Sequence, residues 1–153
     1  MKILMVCLGN ICRSPLAEAI ARKKIQDRLL PWQVDSVGTG NWHQGNPPDP
    51  RTIAAAAERN LDISDLRARQ ITIEDIQSAD IIVAMDTQNY QDVKRLAGPS
   101  HEPKLFMMLN FSNPGQNQAV PDPYFGGAEG FRSVFDLLDE ACDAMISQLQ
   151  NKK

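Results

Sequence analysis

Short apolar runs alternate with longer stretches of helical periodicity along the whole chain. The runs Lys2–Val6, Gln33–Val37, Asp80–Met85 and Lys104–Met107 are brief and rich in aliphatic or β-branched side chains, as expected of strands buried on both faces. A first helix is expected from Ser14, a candidate N-cap followed by Pro15 where no backbone N–H is needed, to about Arg28. Asp49-Pro50 opens a second by the same logic, through Ala54–Ala57 to near Asn60. A short helix follows Thr72, and Asp86 caps another that stops before Gly98. The last spans roughly 128–151, where Phe131, Val134, Phe135, Leu138, Cys142, Met145 and Leu149 recur at spacings of three and four. That stripe suits packing on a sheet, with Cys142 a buried packing thiol. With no repeat, linker or low-complexity tract, the order predicts one α/β domain over residues 1–153. Its architecture is a three-layer α/β/α sandwich around a central four-stranded parallel sheet.

Charge and cysteine usage narrow the partners. The 153 residues carry 16 basic and 19 acidic side chains, net −3, so the basic footprint needed for nucleic acid or an anionic membrane is missing. No nucleic-acid or membrane partner is expected, and an anionic substrate would have to be attracted locally. The apolar run after Lys2 is too short for a signal-peptide core or a spanning helix, which points to a cytoplasmic protein. Three cysteines without a secretory signal read as thiols rather than a disulfide framework. His43 and His101 lie far apart and away from any cysteine, so no metal site is expected.

In such a sheet, ligands bind beyond the carboxyl ends of the strands, where the strand order reverses. The loops of interest are therefore 7–13, 42–49 and 122–124. Cys7 closes the first strand and Ser14-Pro15 begin a helix, leaving Leu8, Gly9, Asn10, Ile11 and Cys12 as an anion-sized loop. Gly9 and Asn10 tolerate positive φ, so the backbone can curl its N–H groups inward around a phosphate, aided by the helix N-terminus. Arg13 offers a planar fork to two phosphoryl oxygens. Helix N-termini and nearby cations favour thiolates, so Cys7 is expected to attack phosphorus in line and form a phosphocysteine that water hydrolyses. The Ser14 hydroxyl can donate to the sulfur, while Asn10, with Ser36, can brace the loop. A tyrosine leaving group, with phenol pKa near 10, needs a proton. Asp122, held between Pro121 and Pro123, is the candidate acid and later the base for water.

The run Val6-Cys7-Leu8-Gly9-Asn10-Ile11-Cys12-Arg13-Ser14-Pro15, with Asp122-Pro123-Tyr124, resembles the low-molecular-weight protein tyrosine phosphatases. Asp35-Ser36, Asn46–Arg51, Ala68–Thr72 and Met85-Asp86 resemble family positions too. The resemblance implies a metal-free, cofactor-free enzyme acting on phosphotyrosine-containing proteins. It makes Cys7 the nucleophile, Arg13 the phosphate clamp and Asp122 the acid, with Asn10 and Ser14 as loop supports. Trp42 and Tyr124 would wall a deep slot for a phenyl ring. Leu66 departs from the histidine usual nearby in animal members, which opens the question of how Asn10 is braced. Related arginine phosphatases typically carry threonine where this chain has Ile11. Arsenate reductases of this fold need a downstream cysteine pair, and here only Cys142 follows the loop. Cys12 is the expected redox partner of Cys7, since a curled loop can bring the two thiols together. A monomer or weak dimer is expected.

Overall fold

Four parallel strands, β1 (Lys2–Cys7), β2 (Gln33–Gly38), β3 (Ile81–Ala84) and β4 (Leu105–Met107), form a sheet in the order β2-β1-β3-β4. The structure, a computed structural model, describes residues 1–124 and 127–151. β1 is central, with Val6 opposite Val37 on one side and Ala84 on the other. Its side chains alternate between two cores, as a pleat demands. Ile3 and Met5 join one cluster with Leu16 and Ile20 of α1 (Arg13–Asp27) and the stripe of α5 (Ala128–Asn151), while Leu4 and Val6 join the other. That second core holds Ile76 of α3 (Ile73–Ser78) and Val93 of α4 (Thr87–Ala97). Helices thus cover both faces, and the α/β class and four-stranded parallel sheet expected from the sequence are present. The α5 stripe, including fully buried Cys142, is core. Each such large apolar side chain contributes about 1.5–3 kcal/mol through burial.

Local capping explains most helix starts. Asp49 caps α2 (Pro50–Ala57), accepting the Arg51 N–H at 2.8 Å. Thr72 and Asp75 form a reciprocal capping box on α3. Asp86 caps α4 through the Asn89 N–H, and Gly98 ends it at φ 78°. α1 departs from expectation. It begins at Arg13, Cys12 stands at the N-cap without a side-chain cap bond, and Ser14 lies inside the first turn. Pro15 is tolerated there because the first four helical N–H groups lack partners within the helix in any case. Pro99–Lys104 and Met108–Asn110, on either side of β4, are short 3₁₀ turns that the hydrophobic pattern had not indicated.

The chain leaves β1 toward β2 on one side, and leaves β3 toward β4 on the other. The adjacent carboxyl ends of β1 and β3 therefore flank the point where strand order reverses, the place where such sheets hold ligands. Cys7 ends β1, and Asp86 lies just beyond β3.

Candidate active site

The loop from Cys7 to Arg13 is tied down by its carbonyls. The oxygens of Cys7, Leu8 and Ile11 accept the amides of Thr39, Gly40 and Asp49, each at 2.9 Å. Because C=O and N–H of a trans peptide point in opposite directions, the N–H groups of Leu8, Gly9 and Cys12 turn the other way. All three residues line a cleft of about 260 Å³. Of the two residues that tolerate positive φ, Asn10 adopts it, at 57°, and Gly9 does not. Gly9 is small for another reason: a Cβ there would meet His43 Cδ2 at 3.0 Å.

Asn10 sits beneath the loop, 2 % exposed, and its side chain is fully engaged. Nδ2 donates to Ser14 Oγ at 2.8 Å and to Ser36 Oγ at 3.0 Å, while Oδ1 accepts the Arg69 N–H at 3.0 Å. Ser36 in turn donates to buried Glu18 at 2.6 Å, and Glu18 pairs with Arg22. Asn10 is thus braced by Arg69 and Ser36 in a chain that carries Leu66, not histidine, three residues earlier. Since both amide hydrogens of Asn10 go to hydroxyls, those hydroxyls are left to donate onward. Ser36 gives its proton to Glu18, and Ser14 Oγ, with one hydrogen to give, lies 3.0 Å from Cys7 Sγ and 3.3 Å from the Val37 carbonyl. The Asn10 N–H also points at this sulfur, at 3.3 Å. Cys7, 3 % exposed, thus has the Ser14 hydroxyl and the Asn10 N–H against its sulfur.

Arg13 is equally buried. Its Nη1 donates to Asp86 Oδ2 at 2.7 Å and to the Val120 carbonyl at 3.0 Å, and its Nη2 comes within 3.8 Å of Asp122 Oδ2. Asp122 is about half exposed, and its Oδ1 accepts the Tyr124 N–H at 3.0 Å. Trp42 and Tyr124 rim the same cleft, 70 % and 39 % exposed, so neither serves as core packing.

Every site residue expected from the sequence lies on this cleft or directly beneath it. Several others were not singled out as site residues. His43 lines the cleft with its ring centroid 6.5 Å from that of Tyr124. Asp86, expected to cap α4 and to match a family position, also holds Arg13, and Asp49 and Arg51 link α2 to the loops. Adjacency to Trp42 was the available signal for His43. Cys12 is buried, and burial above all, with the nearby Asp49, Cys7 and Asp122 charges, pushes its thiol up to about 12. Two wider depressions, about 480 Å³ beside Trp32 and about 680 Å³ beyond Trp42, are lined by no cysteine. Among the described residues no cluster of three His, Cys, Asp or Glu could hold a metal, and no helix is long and apolar enough to cross a membrane.

The fold is that of a parallel α/β domain, and its cleft at the sheet's switch point holds a buried thiol with an arginine and a carboxylate beside it. The family profile of low molecular weight phosphotyrosine protein phosphatase matches residues 2–153, and the chain belongs to that family. The family phosphatase of Schizosaccharomyces pombe is 39 % identical over 137 residues, 88 % of this chain and 87 % of the relative. A protein tyrosine phosphatase structure from Entamoeba histolytica, with Hepes in the active site, superposes with a TM-score of 0.93 at 39 % identity, covering 98 % of this chain and 97 % of that one. The YwlE arginine phosphatase, a cysteine-to-serine mutant with a phosphorylated active site serine, superposes at 0.92 with 27 % identity, covering 100 % and 98 %. By class the chain is a protein-tyrosine-phosphatase, a hydrolase whose substrates are phosphoproteins.

Proposed function

We propose that this protein hydrolyses phosphotyrosine in proteins, and aryl phosphates generally, through a phosphocysteine on Cys7. The observation that carries the reading is the sulfur of Cys7 between the Ser14 hydroxyl and the Asn10 N–H, on a cleft shared with Arg13 and Asp122. Phosphate would enter the ring of inward amides, with Arg13 offering the edge of its fork that Asp86 does not hold. In-line attack forms the S–P bond as the P–O bond to the phenol breaks, and Asp122 gives the departing oxygen its proton. Asp122, now a carboxylate, takes a proton from the water that attacks phosphorus, and Ser14 donates to the leaving sulfur. The phosphorylated serine in the YwlE mutant supports a phosphorylated side chain at the nucleophile's position.

Tyrosine is favoured over arginine as the phosphorylated residue because Ile11, Trp42 and Tyr124 give the cleft apolar walls suited to a phenyl ring. Every group invoked comes from one chain, which suits a monomer or weak dimer, and the three free thiols suit the cytoplasm. Cys12 is assigned as the redox partner. Peroxide would oxidise Cys7 to a sulfenic acid, and the Cys12 thiol would displace water to close a disulfide. Activity recovered with dithiothreitol after peroxide should exceed that of Cys12→Ser, and equal recovery would count against the pairing.

The decisive experiment compares Cys7→Ser and Asp122→Asn on aryl phosphates, phosphoserine and phosphoarginine. Cys7→Ser should bind vanadate without turnover, residual activity staying below about a thousandth. Asp122→Asn should lose about 10²–10⁴ in kcat/KM on phenols of high pKa and less as leaving-group pKa falls. A loss independent of leaving group removes Asp122 as the acid. A higher kcat/KM on phosphoarginine than on phosphotyrosine would move the assignment to arginine.

A further inference from the structure

Helix α2 carries no reacting group, yet its first turn touches both loops of the site. The Asp49 N–H donates to the Ile11 carbonyl of the nucleophile loop at 2.9 Å. The Asp49 carboxylate takes Arg51 through Nε at 3.1 Å and Nη2 at 3.0 Å, a two-point grip that fixes the guanidinium plane. So held, Arg51 Cζ lies 4.7 Å from the ring centroid of buried Phe131, in the first turn of α5, and 5.5 Å from that of Tyr124. Both are cation–π distances.

The acid loop needs such an anchor. Val120 is pinned, its N–H on the Met85 carbonyl at 2.8 Å and its own carbonyl on Arg13, but Pro121 and Pro123 have no N–H to give. Beyond the second proline the Tyr124 N–H goes to Asp122 Oδ1, so this bond ties the acid side chain to the residue carrying the ring. Where the Tyr124 ring rests therefore sets where the Asp122 carboxyl points.

We propose that Arg51 is the positioning residue of the general acid, clamping Tyr124 so that Asp122 keeps its register with the nucleophile loop, to which Asp49 ties the same helix. The proposal rests on Asp122 being the acid. Arg51→Met keeps length and loses the fork, while Arg51→Lys keeps charge but cannot make the two-point grip. Both would be assayed, in the full chain, for kcat/KM across aryl phosphates of graded leaving-group pKa and for inhibition by vanadate.

Arg51→Met should lose about tenfold on phenols of pKa near 10 and little on the best leaving groups, with vanadate affinity unchanged and Lys intermediate. In an Asp122→Asn background Arg51→Met should add almost nothing, since the two act on one proton transfer. Equal loss for every leaving group, a matching loss of vanadate affinity, a fully active Lys variant or additivity with Asp122→Asn would each overturn the role of Arg51. If Asp122→Asn itself shows no dependence on leaving group, the acid assignment fails instead.

Discussion

Replacing Asn10 tests the brace beneath the nucleophile loop, because the residue has two separable duties. Its side chain makes three buried hydrogen bonds, to Ser14, Ser36 and the Arg69 amide, each worth about 0.5–1.5 kcal/mol. Its backbone stands at φ 57°, which costs a residue with a Cβ about 1–2 kcal/mol, a penalty asparagine relieves better than alanine. Asn10→Ala should therefore lose about 2–5 kcal/mol. At about 2–4 °C per kcal/mol for a chain of this size, that lowers Tm by about 5–15 °C. Asn10→Gly loses the same three bonds and escapes the backbone strain, partly offset by about 0.5–1 kcal/mol of extra chain entropy in the unfolded state. It should stand slightly above Asn10→Ala. Urea titrations followed by circular dichroism give the stabilities, and aryl phosphate turnover reports whether Ser14 still faces Cys7. An Asn10→Ala protein within about 1 kcal/mol of wild type and fully active would refute the brace.

Gly38, at the end of β2, lies under the same loop, and a Cβ there would meet the Leu8 carbonyl oxygen at 2.7 Å. Because the obstacle is backbone, Gly38→Ala should displace the loop and weaken vanadate binding along with turnover; unchanged vanadate affinity would contradict this. Burial, opposed by Ser36 and Arg22, raises the Glu18 carboxyl above its ordinary 4.5. A group that binds its proton more readily when folded supports folding fully below about pH 4.5 and loses that support as pH rises through the folded value. Glu18→Gln lacks the titration, so its stability relative to wild type should climb as pH rises above about 4.5 in denaturant titrations. A difference that stays constant as pH rises would exclude a strained Glu18 carboxylate.

How much of this was legible in the sequence depends on how far apart the interacting residues lie along the chain. The loop from Cys7 to Arg13 could be read because strand end, loop and helix start are contiguous from Val6 to Pro15, so the pattern reports the geometry directly. The α5 stripe was legible for the same reason: its period is a property of one helix. Ser14 was misread as a cap because a serine before proline has that local preference, whereas Asn10 and Cys7, brought against it by the fold, claim its hydroxyl. The close approach of His43 at Gly9 was likewise out of sight, since His43 lies on another loop.

Arg13 with Asp86, Asn10 with Ser36 and Glu18, and Arg51 with Tyr124 join segments separated by up to 73 residues. Hydrophobic periodicity says which face of an element is buried but not which element lies beside it. The order β2-β1-β3-β4 decides that, placing the end of β3 next to the end of β1 and so setting Asp86 against Arg13. The residues proposed for the chemistry, and Asn10, Ser14 and Ser36 as supports, could thus be named from the sequence, while Glu18, Arg69 and Asp86 join them only when the sheet assembles.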